Sequence, residues 1–502
     1  MLRLRRIPLE YGKENIIFLS KRNKLFCAEQ CSSPMKVEVH GGSAPIYGMT
    51  AIVDSDTILK PDELGLSPNA FKRIGIPEGS EVSLVLSSAP SSINSLRRKI
   101  RGGVLGSKEY KAIVNDITLG RYSKLEIAAL EVAESSFITP QEVFFMSEAI
   151  AEGQENLKWR RDIVVDEVSI GGIPGNQVGP IVSSIVIGAG MCMPKIAKRS
   201  ASEPSGAVEV METMCDVDLD KGAIMGMIEG VGGCIALCGG KMSLSPIDNI
   251  LFDVEQSLGV GMTQQKVISI ISQAISGGIT HLVVDIPVGQ SSIVRTMGEA
   301  MRLRKLFEYV SDMVGIDANV VITDGSEPIG RGIGPVLESR DIMSVLRCND
   351  DAPRELREKA LFIAGRVLEF DPKLRGGHGY YRAQEILDSG RALEIMNRLI
   401  YAQGKGTPSP LGSLTRDITA SSSGVVESID CAQINRIAMV AGAPVDKGAG
   451  VDLLVKVGDE IQQGEVLYRI HASQSMAFAF AGGLAEGNSG FKISSDIAST
   501  LN

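Results

Sequence analysis

Alternating apolar and polar positions characterise the first part of the chain. The segments KVEVH, TAIVD and SEVSLVLSS alternate with a period of two, and GIPEGS stands between two of these elements as a turn. Such alternation is typical of half-buried strands. We therefore predict a β-rich module over residues 1–88, followed by a linker at SAPSSINS.

Helical spacing of the apolar residues follows directly after the linker. It is seen in SKEYKAIVNDITLG, SKLEIAALEVAESSF and TPQEVFFMSEAIAEGQENL. Ser123 and Thr139 are predicted N-caps, and Glu142 stands where it would complete a capping box with Thr139. A further helical stretch, Gln264–Ser276, lies between strand segments. The helical domain is therefore predicted to combine residues 92–160 with residues 246–280.

Apolar strands that end in glycine-containing loops begin near Asp162. DIVVDEVS, THLVVDIPVG and ANVVITDGSEPIGRG are each followed by a helical pattern, which indicates a parallel sheet with a site at the strand C-termini. We predict an α/β domain over residues 161–245 and 281–410, and a C-terminal β domain over residues 411–485. The predicted fold class is α+β, with several domains.

Composition excludes several functions. A net charge of −9 leaves no basic excess for nucleic-acid binding. The apolar run Gln177–Pro194 is interrupted by Gly, Ser and Pro, so we expect a buried helix there and no membrane partner. No export signal is evident at the N-terminus, and the scattered cysteines lack the spacing of a zinc site. We therefore expect a cytoplasmic protein without a bound metal.

The segment VDEVSIGGIPGNQ, Val165–Gln177, has the pattern of a strand, a glycine-rich turn and a helix start. Turns of this kind bind phosphate with backbone N–H groups and a nearby cation. Glu167, a carboxylate, stands where that cation is expected. Two interpretations of Glu167 stay open at this point, a solvated surface acid and a residue that faces a cleft.

Four motifs carry a resemblance to a known family. SIGGIPGN, ITDGSEPIGRGIGPVLESRD, ILDSGRALEIMNRLIYAQG and AGAPVDKGAGVDLLVKVGD together resemble the thymidine and pyrimidine-nucleoside phosphorylase family. The N-terminal β module makes the archaeal AMP phosphorylase branch the closest match. The resemblance implies a helical domain and an α/β domain that face each other across a cleft. It also implies a C-terminal domain of the α/β-hammerhead type and a homodimer or larger homo-oligomer.

The chemistry that the resemblance implies is phosphorolysis. Phosphate attacks the anomeric carbon of a nucleoside or nucleotide while the base leaves, and AMP would give adenine and ribose 1,5-bisphosphate. The expected partner is a nucleotide or phosphosugar, and phosphate is the co-substrate, with no further cofactor. The site must hold a phosphate dianion and supply a proton or hydrogen bond to the departing base.

The resemblance also assigns residues to this site. Ser169 and Arg199 would hold phosphate, and Asn249 occupies the proton-donor position, with Asp248 one residue before it. The full set of positions that it places around the substrate is Ser169, Gly171, Gly172, Lys198, Arg199, Ser200, Ala201, Ser202, Glu203, Ala207, Ser257 and His281.

Several positions depart from the family pattern. Glu167 replaces a phosphate-binding lysine, Ala207 replaces a threonine, and His281 replaces a lysine on the base side. Gly179 and Pro180 replace hydroxyl-bearing residues. A second hypothesis follows, in which the chain is a divergent paralogue that binds a nucleotide, a phosphosugar or another ligand without phosphorolysis. For His281, a lone histidine, the alternative to a role on the base side is a purely structural role.

Overall fold

The computed structural model describes residues 1–10, 14–23, 35–153, 156–200, 203–242, 247, 250, 251, 254, 258 and 263–494. The chain forms two compact units. The first unit comprises residues 1–153 and 247–259, and the second unit comprises residues 154–246 and 260–502.

The first unit begins with a closed barrel in the strand order β1-β5-β2-β4-β3-β6. Its strands are β1 (Leu2–Arg6), β2 (Ile16–Ser20), β3 (Lys36–His40), β4 (Ile46–Val53), β5 (Glu63–Leu66) and β6 (Glu81–Leu86). The predicted alternation is confirmed in β3, where Val37 and Val39 are fully buried and His40 is exposed. Leu4, Ile17 and Leu64 pack with these valines in the barrel core.

Within residues 35–153, five helices lie inside or after the barrel sequence. They are α1 (Pro68–Ile74), α2 (Ile93–Ile100), α3 (Ser107–Thr118), α4 (Lys124–Ser136) and α5 (Pro140–Glu152). The predicted N-caps are confirmed, because Ser123 accepts from the Glu126 N–H and Thr139 accepts from the Glu142 N–H. Glu142 accepts in return from the Thr139 N–H at 2.9 Å, which completes the predicted capping box.

A parallel sheet in the order β11-β10-β7 is central to the second unit. Its strands are β7 (Val165–Ser169), β10 (His281–Val288) and β11 (Asp317–Asp324). A single parallel bridge from Val164 to Cys192 leads on to the pair β8 (Met193–Ala197) and β9 (Gly233–Leu237). The predicted parallel pairing is confirmed, so the carboxyl ends of the three strands meet at one edge.

Helices pack around these strands. They are α6 (Gly179–Gly188), α7 (Ala207–Met211), α8 (Lys221–Gly230), α9 (Thr263–Ser276), α10 (Met297–Val314), α11 (Pro335–Leu346), α12 (Arg354–Leu368), α13 (His378–Asp388) and α14 (Arg391–Ala402), with a 3₁₀ turn at Pro372–Leu374. Every residue of α6 is buried, as predicted for the apolar run that contains it. Within the described residues, no helix is long and apolar enough to cross a membrane.

The sequence predicts helix α9 in the helical domain with residues 92–160, whereas the division of the chain places it in the second unit. Its apolar face, with Val267, Ile268 and Ile271, is buried, and the helix packs on α10. The Leu157 N–H also donates to the Ser276 carbonyl at the end of α9. These contacts explain why α9 belongs to the second unit, which contains the parallel sheet.

The C-terminal part of the second unit has two small sheets, in the orders β12-β15-β17-β13 and β16-β14-β18. The strands are β12 (Gly332–Ile333), β13 (Leu414–Thr419), β14 (Gly424–Ile429), β15 (Gly450–Leu453), β16 (Glu460–Ile461), β17 (Val466–Ala472) and β18 (Phe491–Ser494), with helices α15 (Cys431–Ala441) and α16 (Ser475–Gly487). Strand β12 precedes the predicted boundary at residue 411 but pairs with β15. Ile333 is accordingly buried among Val451 and Tyr468.

Candidate functional site

The glycine-rich turn follows β7 at the carboxyl edge of the parallel sheet. Gly171 and Gly172 have φ angles of 83° and 97°, in the left-handed region that favours glycine. The Ile170 N–H donates to the Asp285 carbonyl, which ties the start of the turn to β10. Ser169 Oγ accepts from the Gly171 N–H at 3.3 Å and from Asn176 Nδ2 at 3.2 Å. The predicted glycine turn after β7 is therefore confirmed, and anion binding at this turn stays a prediction.

A carboxylate of the chain itself occupies this turn. The Gly172 N–H donates to Glu203 Oε1, and a Cβ atom at Gly171 would collide with the same oxygen. Ser200 Oγ accepts from the Glu203 N–H at 3.2 Å and so holds this residue in place. Burial raises the pKa of the Glu203 carboxyl, an effect partly offset by the Gly172 N–H and by the positive charge of Lys266. The Glu203 carboxylate thus accepts the N–H group that the turn presents at Gly172.

A second acid, Glu338, lies in the first turn of α11. It is 3% exposed, and its Oε1 accepts from the Gly334 N–H at 3.1 Å. Burial raises the pKa of Glu338 to about 8; hydrogen bonds from Ser205 and from the Gly334 N–H oppose this shift, and the negative charges of Glu203 and Asp341 add to it. The region beside the turn therefore favours protons and cations over anions.

The Glu338→Gln variant is expected to show a flatter dependence of stability on pH. The folded-state pKa of about 8 lies above the ordinary value of 4.5, so the folded chain retains a proton that the unfolded chain loses in this interval. The free energy of unfolding of the wild type should fall by about 1.4 kcal/mol per pKa unit as the pH rises from 4.5 to about 8. Above this interval it should be constant. Urea unfolding at a series of pH values measures the difference. The exposed Glu229→Gln variant is the control, and parallel pH profiles for wild type and Glu338→Gln would contradict this expectation.

Glu167 forms a buried ion pair with a lysine of the neighbouring strand. Lys195 Nζ lies 2.8 Å from Glu167 Oε1 and 3.2 Å from Asp166 Oδ1, and it donates to the Glu167 carbonyl at 2.5 Å. Glu167 is 3% exposed, so the interpretation as a solvated surface acid is wrong. Gly179 leaves room for the pair, because a Cβ there would lie 2.8 Å from both Glu167 Oε1 and Lys195 Cε.

The charge of this cluster depends on Asp166. Burial raises the pKa of Asp166 to about 6, while Lys195 lowers it and Glu167 raises it. Burial lowers the pKa of Lys195, but the two carboxylates raise it by more, so the lysine stays protonated. Above about pH 6 Asp166 loses its proton and adds a negative charge to the cluster. Lys195 forms ion pairs with Asp166 and Glu167, so it does not provide a free cation for a phosphate group.

Arg199 is also held by acids. Its Nη1 and Nη2 atoms lie 2.8 Å and 2.7 Å from the two carboxylate oxygens of Glu212, in a bidentate pair. The hydrogen bonds from Arg199, together with Lys447 at 3.0 Å, lower the pKa of Glu212 to about 2. Lys198 Nζ donates to Ser269 Oγ at 2.6 Å. The cations predicted to bind phosphate or nucleotide therefore have partners within the chain.

The remaining predicted site residues lie in different places. Ala207 is the first residue of α7, next to the loop that carries Glu203. His281 is the first residue of β10 and pairs with Val165, so it lies at the amino edge of the sheet, opposite to the turn. Five predicted positions lie outside the described residues, namely Ala201, Ser202, Asp248, Asn249 and Ser257.

The contacts of His281 agree with a structural role. Its ring packs edge-on against Phe370 with centroids 4.9 Å apart, and Nδ1 lies 2.8 Å from Thr280 Oγ1. Burial lowers the pKa of His281, so the ring is neutral at pH 7.

A cavity of about 470 Å³ opens beside the occupied turn, within the second unit. Glu203, Asn435 and Arg436 supply polar groups to its wall, and Ile293 and Met439 are among its apolar groups. The Asn435 Oδ1 atom is buried without a hydrogen-bond partner, and exposed Arg436 forms no ion pair in the described part of the chain. No sequence pattern indicated that α15 contributes to the site. No cluster of metal-ligating side chains exists among the described residues.

A glycine turn and an adjoining, largely apolar cavity with a few polar groups at the carboxyl edge of an α/β sheet are typical of small-molecule-binding proteins. Comparison with known proteins specifies the family. Residues 425–488 match the model of the pyrimidine nucleoside phosphorylase C-terminal domain. The chain is 45% identical to a putative thymidine phosphorylase of Rhodopseudomonas palustris, over 98% of this chain and 96% of that protein.

Other relatives agree. A putative thymidine phosphorylase of Methylococcus capsulatus is 42% identical over 98% of this chain and 96% of its own length. The chain therefore belongs to the thymidine and pyrimidine nucleoside phosphorylase family. The crystal structure of anthranilate phosphoribosyltransferase from Thermus thermophilus superposes with a TM-score of 0.52 at 18% identity, covering 62% of this chain and 99% of that one. This last similarity concerns the fold alone.

Proposed function

We propose that this chain binds a nucleoside- or nucleotide-sized molecule at the carboxyl edge of the sheet and does not use inorganic phosphate as a co-substrate. The observation that carries the proposal is the hydrogen bond from the Gly172 N–H to Glu203. A phosphate group that entered the turn would meet this carboxylate. Arg199, the cation predicted to receive phosphate, is already neutralised by Glu212.

Magnitudes support this choice. Two unit negative charges 4 Å apart repel by about 4 kcal/mol at an effective dielectric constant of about 20. Millimolar binding corresponds to about 4 kcal/mol in total. Repulsion from Glu203 alone is therefore sufficient to remove ordinary phosphate affinity, unless the carboxylate leaves the turn or binds a proton.

A second candidate is phosphorolysis of a nucleoside 5'-monophosphate such as AMP to its base and ribose 1,5-bisphosphate. Relatives named putative thymidine phosphorylase at 41–45% identity favour phosphorolysis as the reaction, whereas the choice of a 5'-monophosphate rests on the resemblance to AMP phosphorylases. In this function phosphate would displace Glu203 and bind Ser169 and Arg199. Asn249 or Asp248 would assist the leaving base, and the chain would form a homodimer or larger assembly.

The two candidates differ in base release. We expect no release above the uncatalysed rate when the purified chain is incubated with phosphate and AMP, CMP, thymidine or uridine, with products separated by chromatography. Turnover of any of these substrates would support phosphorolysis and contradict the first proposal.

The Glu203→Ser variant tests the cause directly. Removing the carboxylate exposes the Gly172 N–H, so we expect phosphate to bind at least about tenfold more tightly than to wild type, a change of about 1.4 kcal/mol. Isothermal titration calorimetry with inorganic phosphate measures this change. Glu394→Ser, an exposed substitution in α14, is the matched control. Equal phosphate affinity in wild type and Glu203→Ser would show that Glu203 does not block the turn.

A further inference from the structure

A second cavity, of about 400 Å³, lies within the first unit. Strands β2–β4 of the barrel form one wall, and helices α3 and α4 contribute to the other. This volume is in the range of pockets that enclose small ligands. The glycine turn belongs to the other unit, so a ligand of this cavity is independent of the proposed function.

The wall of this cavity is largely apolar. Ile117 and Ile127 are buried residues of the wall, and Ile16 and Met49 are half-buried. Leu125, at the start of α4, also lines the cavity, and it is 80% exposed. A single exposed leucine is ordinary, but next to an apolar cavity it extends the surface that the apolar part of a ligand can cover.

One corner of the cavity, at Gly120, contains hydrogen-bond donors. Gly120, with φ of 77°, leaves this corner without a side chain. A Cβ atom there would have Asn15 Nδ2 at 3.8 Å and Arg73 Nη1 at 4.0 Å. The Tyr47 carbonyl, also at 3.8 Å, already accepts from Asn15 Nδ2. The guanidinium group of Arg73 therefore reaches the corner, and the nearest side-chain atom beside it is another donor.

Arg73 supplies a positive charge that the described part of the chain does not match. Lys36 forms an ion pair with Glu126, and Lys124 Nζ lies 3.4 Å from Glu14 Oε1. Arg73 is exposed and forms no ion pair or side-chain hydrogen bond among the described residues. The wall thus has an excess of positive charge at Arg73. The two oxygens of a carboxylate match the N–H fork of a guanidinium group.

We propose that this cavity binds a small amphipathic carboxylate, a molecule with one carboxylate on an apolar body. The carboxylate would accept from Arg73 at the Gly120 corner, and the apolar body would pack against Ile117, Ile127 and Leu125. Both parts of the ligand contribute. A neutral apolar molecule leaves the charge of Arg73 unmatched, and a simple anion covers none of the apolar wall.

The experiment uses octanoate as the probe, with octanamide and acetate as matched controls. Octanamide keeps the chain and lacks the charge, whereas acetate keeps the charge and lacks the chain. Titration calorimetry on the full chain at pH 7 should give at least about tenfold tighter binding for octanoate than for octanamide, because only the carboxylate forms a charged pair with Arg73. Acetate should not bind measurably over the same concentrations.

Variants place the ligand in this cavity. Arg73→Gln should weaken octanoate binding by about tenfold and leave octanamide unchanged, so that the two probes bind alike. Lys72→Gln, an exposed change of the same charge on α1, should keep the full preference for octanoate. Leu125→Ser should weaken both octanoate and octanamide, by about threefold or more, because it removes apolar surface from the wall. Both Arg73 and Leu125 are exposed, so these variants should fold.

Equal affinities of wild type for octanoate and octanamide would overturn the proposal. So would unchanged octanoate binding in Arg73→Gln or Leu125→Ser, or an equal loss of preference in Lys72→Gln, which would indicate a general effect of surface charge. Failure of octanoate to bind at its highest soluble concentration would overturn it as well. None of these measurements involves phosphate or a nucleoside, so their outcome leaves the proposed function untouched.

Discussion

Replacing Glu167 with lysine is expected to lower the free energy of unfolding of the second unit by about 3–5 kcal/mol, the usual cost of breaking a buried ion pair. The variant would place a second ammonium group beside Lys195, where Glu167 Oε1 now lies at 2.8 Å. Urea unfolding followed by the fluorescence of Trp159 measures the loss. Trp159 is the single tryptophan of the chain and donates to the Gly277 carbonyl in the second unit.

The charge-swapped double variant, Glu167→Lys with Lys195→Glu, tests whether the loss of stability comes from the ion pair. It restores one opposite pair, so it should recover part of the stability that the single variant loses. Exposed Glu394→Lys makes the same change of charge on α14 and should change stability by less than about 0.5 kcal/mol. A Glu167→Lys protein that unfolds at the wild-type urea concentration would contradict the buried pair.

Replacing Lys99 with methionine is expected to destabilise the first unit by about 3–5 kcal/mol. Lys99 Nζ lies 2.6 Å from Glu142 Oε1, and both side chains are completely buried. Burial raises the pKa of Glu142, but Lys99 and the N–H groups of Leu105 and Thr139 lower it by more, so the carboxylate is charged. The methionine variant leaves this charge buried without its cation.

Hydrogen exchange of the amides in α2–α5, followed by mass spectrometry, measures this local loss of stability. Lys108→Met is the matched control, because Lys108 is exposed on α3. The cost should shrink at acidic pH, where an unpaired Glu142 binds a proton. Unchanged exchange in Lys99→Met would mean that the backbone N–H groups alone stabilise the Glu142 carboxylate.

Features that depend on near neighbours were predicted from the sequence. The capping box of Thr139 and Glu142 needs only residues three positions apart, and the strand β3 needs only its alternation. The same sequence did not predict the partner of Glu142, because Lys99 lies 43 positions away on another helix. The capping glutamate is therefore also half of a buried ion pair.

In the candidate site, too, contacts between residues far apart in the sequence were not predicted. The glycine turn was predicted from Gly171 and Gly172, but the carboxylate that fills it comes from Glu203, 31 positions beyond Gly172. Lys195 reaches Glu167 only because β7 and β8 lie side by side. These contacts follow from tertiary packing, which no local pattern records.

The position of His281 at the amino edge of the sheet could have been predicted from the sequence. The segment THLVVDIPVG predicts a strand that begins near Thr280, and a residue at the start of a parallel strand lies at the amino edge of its sheet. Alignment to the family pattern suggested the base side instead. Strand direction was the stronger physical argument.

The Glu167–Lys195 pair constrains how the chain can change through evolution. Loss of Lys195 would leave two buried acids without their cation, loss of Glu167 would leave Lys195 with the more distant Asp166, and a larger residue at Gly179 would collide with both Glu167 and Lys195. A lineage that acquired a lysine at position 167 would therefore have to alter several positions together, or tolerate an unstable intermediate. The order in which substitutions accumulate is thus restricted, and the present arrangement is easier to keep than to reverse.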